Sequence, residues 1–404
     1  MKYSKSYAIS KGLGDALSLI LDGGSLPPIR GTWYFVDPKS GADTSDGRTV
    51  ETALAGVRAA YGKCTSGAGD GIVFLAREDG TTADTTSYLG GSLLWTKDNI
   101  TFVGVGGGHV YNGRCRIASL DRVYAASTLS WTAPGVMTDS AEQFIVQGFE
   151  VGDQVLVAVT AGTAITVVNK ITAVTAGTIT LADAVTANAA PGASTISTHA
   201  VPVLNVSGEN NIFKNLAFIQ GGNDAEDIGA VIVSADHNYF EDCYFNGAGN
   251  ATQAAEITAN DLTLNASACI FKHCFFGSNS TIRAAANAHI VLGIAAGQIG
   301  QNFFEDCYVT SYSATAGHCA IFITNAATLG GWVQFKGCSF VNWDSGAVTA
   351  LTAVVGGVDP TNLGLLMKDC TQIGWAIWAD TGWDCVYTHN SVGAGTAGIA
   401  LISG

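Results

Sequence analysis

Side chains that can exchange protons recur at one position of a short phrase, which the chain repeats six times. The fourth residue of the phrase is cysteine in five of the copies. In three successive copies the third residues are Asp242, His273 and Asp306, a set that general acid–base catalysis can use. The copies are FKNLAF (213–218), FEDCYF (240–245), FKHCFF (271–276), FEDCYV (304–309), FKGCSF (335–340) and MKDCTQI (367–373).

The same third position holds a wider set of residues, as a backbone requirement would predict. It holds Asn215, Gly337 and Asp369 in the other copies. Glycine, asparagine, aspartate and histidine are the residues that best tolerate a left-handed backbone. We therefore predict a backbone corner here rather than a catalytic column.

A second set of candidate catalytic groups is the acidic cluster of Asp224, Glu226 and Asp227. Two neighbouring carboxylates are the acid and base of many glycosidases. No aromatic or basic residue accompanies the cluster, so we favour solvated surface acids. Arg283 is the only arginine after Arg122, and no acid lies near it in sequence. The acids and the catalytic base of a polysaccharide lyase are therefore not recognisable.

Aromatic residues form a further series, five positions after the cysteine. Tyr312, Trp343 and Trp375 follow one another at the repeat spacing, and Trp378 and Trp383 lie nearby. Exposed, such a series would stack against sugar rings; buried, it would be part of the core. A subunit interface is a third possibility, because interfaces are enriched in tryptophan and tyrosine. We favour the core or an interface over glycan binding.

A tight acidic loop near the N-terminus is a candidate Ca²⁺ site, because Ca²⁺ takes oxygen ligands. Asp37, Asp43 and Asp46 lie within ten residues of one another, but the spacing of an EF-hand is absent. Aspartate and glycine are also ordinary turn formers. We favour the turn, and no other cofactor is indicated.

The repeat that carries these residues predicts the elements that position them. The copies recur every 27 to 33 residues, which indicates supersecondary units stacked on one another. They are short, aromatic and β-branched, and each is bounded by turn residues, as strands are. The second residue is always charged and so should face outward, where stacked strands lie about 4.8 Å apart. The predicted architecture is an all-β solenoid.

The phrase resembles the right-handed parallel β-helix family, whose coils read like N-x-x-I-x-N-C-x-F. The resemblance covers residues 70–120 and 200–404. That family includes pectate-lyase-like enzymes, phage tailspikes and other virion proteins. The resemblance therefore implies a fold but no single activity.

Residues 122–200 interrupt the repeat with short strands and glycine turns. The run GFEVGDQVLVAV (148–159) resembles the small SH3-like barrels of phage head and tail proteins. We expect an inserted antiparallel β-barrel at this point. The predicted domains are an N-terminal arm (1–30), a helical cap (31–70), the first coils (71–121), the insert (122–200) and the main repeats (201–404).

Charge and hydropathy exclude several partners. The formal net charge is −14, whereas binding to nucleic acid needs clustered lysine and arginine. No run of eighteen apolar residues is present to span a membrane. Gly12, Gly14 and Asp15 interrupt the apolar part of the N-terminus, so we expect it to be retained rather than cleaved as a signal peptide. Cysteines at a shared repeat position favour reduced thiols and assembly in the host cytoplasm.

Together these features predict a non-enzymatic structural protein of a tailed-phage virion, either a capsid decoration or a spike. We expect a homo-oligomer, a trimer, that contacts other virion proteins through residues 1–30. The alternative is a tailspike that binds or depolymerises bacterial surface polysaccharide, as a glycoside hydrolase or a polysaccharide lyase. The place on the virion and the host receptor are left open.

The cysteine column gives the first testable prediction. In native protein, Cys243, Cys274, Cys307, Cys338 and Cys370 should be reduced and almost unreactive, because a shared inward position buries them together. Titration with a thiol reagent should show a large increase in reactive thiols on denaturation. A disulfide between any two of the five would contradict the prediction.

Overall fold

The computed structural model describes most of the chain. The described residues are 29–76, 86–106, 115–119, 122–159, 165–184, 194–221, 229–293, 299–313, 315, 317–324, 331–343, 353–359, 364–379, 386–389, 391 and 399–400. Most of the predicted N-terminal arm lies outside them.

The N-terminal half contains the cap, the first coils and the insert. Its elements are β1 (Trp33–Val36), α1 (Val57–Lys63), β2 (Gly71–Leu75), β3 (Thr86–Leu89), β4 (Gly91–Trp95), β5 (Thr101–Val105), β6 (Arg116–Ser119), β7 (Val123–Ala125), β8 (Leu129–Ala133), β9 (Val136–Asp139), β10 (Gln154–Val159), β11 (Ile165–Val174), β12 (Thr178–Leu181) and β13 (Ser194–Val206).

The C-terminal half repeats three short strands per coil. Its elements are β14 (Ile212–Lys214), β15 (Ala217–Ile219), β16 (Val231–Val233), β17 (Tyr239–Glu241), β18 (Tyr244–Asn246), α2 (Ala251–Ala254), β19 (Leu262–Leu264), β20 (Ile270–Lys272), β21 (Phe275–Gly277), β22 (Ala288–Leu292), β23 (Asn302–Glu305), β24 (Tyr308–Ser311), β25 (Cys319–Ile323), β26 (Trp332–Lys336), β27 (Ser339–Asn342), β28 (Ala353–Gly357), β29 (Gly364–Lys368), β30 (Thr371–Ile373), β31 (Ile377–Ala379), β32 (Val386–His389) and β33 (Ile399–Ala400).

These strands stack into three parallel sheets, which confirms the predicted parallel β-helix. Sheet A has the order β1-β2-β5-β14-β17-β20-β23-β26-β29-β32-β33, and sheet B has the order β3-β6-β15-β18-β21-β24-β27-β30. In sheet C the solenoid strands follow the order β4-β13-β16-β19-β22-β25-β28-β31. Each repeated phrase therefore crosses from sheet A to sheet B.

The phenylalanine of the phrase forms the centre of the core. Phe213, Phe240, Phe271, Phe304 and Phe335 lie on successive coils with ring centroids 4.5 to 5.0 Å apart, nearly parallel. Such stacking adds to the free energy gained from burying the rings. The sequence signal therefore marks the residues that hold neighbouring coils in register.

The cysteine of the phrase lies beside this stack. All five column cysteines are buried and free, as predicted. The Cys243 thiol donates to the Phe213 carbonyl oxygen of the preceding coil at 3.5 Å. Burial raises the pKa of the Cys274 thiol. These cysteines are small apolar core residues with weak hydrogen bonds, which is the structural role that the sequence predicted.

The third position of the phrase is a left-handed corner between sheets A and B. Its φ lies between 51° and 66° in all six copies, which confirms the predicted backbone role. A second left-handed corner precedes sheet A, with φ between 56° and 60°. That corner is formed by Asn99, Asn210, His237, Ala268 and Gln301.

The charged second position faces outward, and its signs pair as predicted. Lys214 lies 2.5 Å from Glu241 on the next coil, and Glu305 lies 2.7 Å from Lys336. Hydrogen bonding and the positive charge of Lys336 lower the pKa of Glu305. Exposed pairs of this kind contribute little to stability.

The insert is antiparallel and has a core of its own. Its strands run in the order β7-β13-β10-β11-β12-β9-β8, and no pairing joins β7 to β8 within the described residues. The predicted closed, SH3-like barrel is therefore not confirmed. Phe149, Val155 and Val157 of the GFEVGDQVLVAV run are buried in the insert's core.

A buried ion group joins the insert to the cap. Asp153 is fully buried; its two carboxylate oxygens lie 2.8 Å from Arg58 of α1 and 3.2 Å from Arg122. Strand β13 continues from the insert into sheet C, where Leu204 pairs with Val231. The insert thus shares a strand with the solenoid. No helix among the described residues is long and apolar enough to cross a bilayer.

The second corner generates a prediction at Ala268. A left-handed backbone costs a residue with a Cβ about 1–2 kcal/mol, so Ala268→Gly should raise the free energy of unfolding by about 0.5–1 kcal/mol. Urea denaturation measures the change. Ala266→Gly is the matched control: its φ is not positive, and it should destabilise the protein. Equal effects of the two substitutions would contradict this account.

Candidate functional site

The Asp242–His273–Asp306 series is an exposed ladder at the first corner. His273 lies 3.5 Å from Asp242 and 3.7 Å from Asp306, and all three side chains are about half exposed. Glu241, Asp242 and His273 form the one group of three possible metal ligands within 4.8 Å in the described part of the chain. Lys214 already pairs with Glu241. The ladder therefore lies at the surface of the first corner.

The predicted aromatic series is divided between the core and the surface. Trp375 and Trp378 are buried, Tyr312 is half-buried and Trp343 is 54% exposed. Trp343 donates its indole N–H to the Thr310 hydroxyl at 2.9 Å. Trp383 lies outside the described residues. The series is therefore not one continuous stacking platform.

The structure does not test the predicted cluster of surface carboxylates. Asp224, Glu226 and Asp227 lie outside the described residues. In the cap, Asp37 accepts the backbone N–H groups of Lys39 and Ser40.

The other two cap aspartates likewise hold the loop together. Asp43 accepts from the N–H groups of Ala55 and Gly56, and Asp46 accepts from the Thr52 hydroxyl. This hydrogen bond is the main cause that lowers the pKa of Asp46. All three aspartates thus have turn-forming roles, and a calcium site remains a prediction.

A groove with a volume of about 710 Å³ lies on the outer face of sheet C. Val291 of β22, Phe322 of β25 and Gly356 of β28 are register neighbours along its floor. Gly356 leaves the floor open, because a Cβ there would lie 3.3 Å from the Cys319 sulfur. Ile257, 66% exposed, forms part of the wall.

Most polar groups of the groove lie at the end that meets the corner between sheets B and C, whereas Thr324 follows β25 at the other end. They are uncharged side chains, and no lining residue within the described part of the chain is acidic, lysine or arginine. The polar lining residues are Thr258, Asn260, Asn287, His318 and Thr324. The groove therefore suits a neutral ligand with hydrogen-bonding groups.

Two of these lining residues belong to a buried hydrogen-bond chain that runs beneath the corner. Asp261 precedes β19, His289 lies in β22, Ser311 ends β24, and Asn287 and His318 precede β22 and β25. Parallel stacking places Asp261 beside His289, since the Asp261 N–H donates to the His289 carbonyl oxygen. We call these five residues the corner chain.

The corner chain is continuous from a carboxylate to an amide. The His289 Nδ1 is hydrogen-bonded to the Asp261 Oδ2, and its Nε2 lies 2.7 Å from the Ser311 Oγ. The same Oγ lies 3.1 Å from the His318 Nε2, and the His318 Nδ1 lies 3.0 Å from the Asn287 Oδ1. Every member is at least 98% buried.

Arg283 compensates the buried carboxylate of the corner chain. Its guanidinium lies 2.6 Å from the Asp261 Oδ1 and also donates to the Ala259 carbonyl oxygen. Arg283 and His289 lower the pKa of Asp261 against the opposing effect of burial. Burial lowers the pKa of His289 and, more strongly, of His318. Burial therefore favours the neutral form of both imidazoles.

Ser311, His289 and Asp261 have the connectivity of a serine-hydrolase triad. A working nucleophile must reach its substrate, but the Ser311 side chain is fully buried. Its Oγ is also engaged by a second imidazole, that of His318. The arrangement as it stands is a structural polar network beneath the groove.

Sequence reasoning missed the corner chain because its members lie outside the repeated phrase. The available signal was that Asp261, His289 and His318 recur 28 and 29 residues apart, close to the repeat length. Arg283 had no acid near it in sequence, and its partner comes from the preceding coil.

Comparison with known proteins supports no family assignment. No family model and no curated protein match the chain. Among solved structures, it is similar to pectin methylesterase PemA from Erwinia chrysanthemi at 11% identity, covering 90% of each chain with a TM-score of 0.43. It is similar to pectate lyase Pel9A at 11% identity, covering 92% of this chain and 77% of that one, with a TM-score of 0.44.

The chain is also similar to the tailspike protein gp49 from Pseudomonas phage LKA1. The identity is 12%, and the alignment covers 83% of this chain and 51% of the tailspike with a TM-score of 0.25. At these low scores, no functional conclusion follows from the three similarities.

Replacing Arg283 removes the positive charge beside the buried Asp261 carboxylate and should destabilise the folded protein. Arg283→Met should lower the free energy of unfolding by about 3 kcal/mol, because Asp261 is left without its guanidinium. Urea denaturation at pH 7 measures the change. Arg48→Met, at an exposed arginine of the cap, is the matched control and should change stability by less than about 0.5 kcal/mol. A similarly small effect at Arg283 would contradict the assigned role.

Proposed function

We propose that the chain is a non-enzymatic structural protein of a tailed-phage virion and that its groove on sheet C binds a neutral glycan. The observation that carries the binding proposal is the groove itself, which combines apolar floor residues with hydroxyl and amide groups and no charge. The virion setting rests on the sequence resemblance. It includes a homo-oligomer, proposed to be a trimer, that contacts other virion proteins through residues 1–30.

The lining chemistry favours a sugar over other neutral ligands. The faces of pyranose rings are apolar and can lie against Phe322 and Val291, while their hydroxyl and N-acetyl groups bond Thr258 and Asn260. A groove of this volume has the size of typical small-ligand sites. It runs across successive coils, as an extended oligosaccharide requires.

Binding is favoured over cleavage because the groove lacks acid–base partners. Glycoside hydrolysis uses two carboxylic groups beside the scissile bond. No carboxylate lines the groove among the described residues, and both nitrogens of His318 are engaged within the corner chain. A bound glycan would therefore be released without being cleaved.

A second candidate function is hydrolysis of an ester on the glycan, favoured by one specific observation. Ser311, His289 and Asp261 are connected as a nucleophile, a base and an orienting acid. This candidate requires the corner to open, since Ser311 is fully buried. It predicts release of an acyl group that Ser311→Ala abolishes.

Titration calorimetry with neutral capsular or O-antigen oligosaccharides tests the proposal. Phe322→Ala should weaken binding at least tenfold, because it removes the apolar floor against which a sugar ring packs. Phe303→Ala is the matched control: Phe303 is a 44% exposed phenylalanine on sheet A and should leave the affinity unchanged.

Product analysis of the same mixtures separates binding from catalysis. The account predicts intact polysaccharide after prolonged incubation. Release of oligosaccharides would favour the depolymerase, and release of acyl groups would favour the esterase. Loss of oligosaccharide release in Asp224→Asn or Asp227→Asn protein would assign the depolymerase chemistry to that acidic cluster.

A further inference from the structure

The corner chain has more hydrogen-bond links than it has protons to fill them. Its four links join Asp261 to His289, His289 to Ser311, Ser311 to His318 and His318 to Asn287. Each link needs one proton. Two neutral imidazoles and one hydroxyl supply three. One link therefore has lone pairs facing each other whenever both histidines are neutral.

Neither end of the corner chain can supply the missing proton. The Asn287 amide is fixed with its oxygen toward His318, because its nitrogen donates to the Ala254 and Glu256 carbonyl oxygens. The Asp261 carboxylate accepts from Arg283 and from the Gly247 N–H, which keeps it ionised.

The distances indicate that the missing proton belongs to the end of the corner chain nearest the groove. The links toward Asp261 are the shorter ones, at 2.7 Å or less, and the links on either side of His318 are 3.0 and 3.1 Å. Ser311 thus donates to His289, and His318 has one proton for two facing acceptors. Both His318 and Asn287 line the groove.

We propose that the corner chain binds one proton on acidification and that this proton closes the His318–Asn287 link. In the three-proton state, the Asn287 Oδ1 and the facing nitrogen of His318 present lone pairs to each other beneath the groove. The fourth proton converts this contact into a hydrogen bond within the protein.

The charges around the corner set the range in which the proton binds. Among the described residues, Asp261 favours a cation on His289, and Arg283 opposes a cation on either ring. A charged His289 also opposes a cation on His318. Trp375 stacks on His318 at 5.9 Å and carries no charge. Burial disfavours the cation, so uptake occurs below the pH of about 6.5 at which free imidazole titrates.

The lowered histidine pKa values also determine how the stability of the protein depends on pH. Each histidine has a lower pKa in the folded state than in the unfolded state. The contribution of neutral burial to stability is therefore full above about pH 6.5 and declines as pH falls toward the folded-state value. The protein is expected to be less stable at pH 5 than at pH 7.5.

Histidine-labelled protein tests proton uptake without any glycan. Carbon-13 resonances of His289 and His318, assigned with His289→Gln and His318→Gln proteins, are followed from pH 8 to pH 4.5. In the native chain the two rings should report one shared proton, because rotation of the Ser311 hydroxyl moves the charge between them. Native protein whose corner rings take up no proton over this range would overturn the proposal.

Two variants shift the uptake in opposite directions. Ser311→Ala leaves two hydrogen-bond links and two protons to fill them, so no proton is missing. The pH midpoint of proton uptake should therefore fall by at least one unit, and the two rings should no longer titrate together. Asn287→Asp adds a carboxylate to the end of the chain and should raise the midpoint by a similar amount. If Ser311→Ala does not fold, Asn287→Asp against the native chain decides the question. A midpoint that neither variant moves would also overturn the proposal.

Discussion

The parallel backbone ladder between coils is the constraint on which the rest of this structure depends. It places the same position of each repeat directly over its predecessor, about 4.8 Å away. As a result of this alignment, Phe213 stacks on Phe240 and Lys214 pairs with Glu241. A side chain that suits one coil must also suit its neighbours, so the phrase is repeated.

The same constraint creates the corner beneath the groove. Sheet C brings Asp261 and His289 together on adjacent coils, and the turn from sheet B brings Ser311 and His318 to them. Buried polar networks of this kind are stabilising only when every member is satisfied. The corner chain is one proton short of that condition, and its last two members lie at the groove.

The repeated phrase was sufficient to predict the fold, the inward cysteine and phenylalanine, and the first corner. The second corner was not predictable, because Ala268 and Gln301 hold a left-handed backbone that their residue types do not favour. The insert was located by its break in the repeat, whereas the closed barrel was inferred from a local motif and is not confirmed. The groove and the corner chain depend on loops of unequal length, and contacts between different coils cannot be read from local sequence. The tryptophan series also shows that spacing alone does not predict burial, since Trp343 is exposed and Trp375 is buried although both follow the repeat spacing.

Hydrogen exchange with and without a neutral surface oligosaccharide at pH 7.5 is the most direct test of the central claim that the groove on sheet C is the binding site. The account predicts slower exchange in residues 286–292, 317–324 and 353–358, which line the groove, and no change along sheet A. Protection confined to the region of Phe303 or Trp343, with the groove segments unchanged, would contradict it.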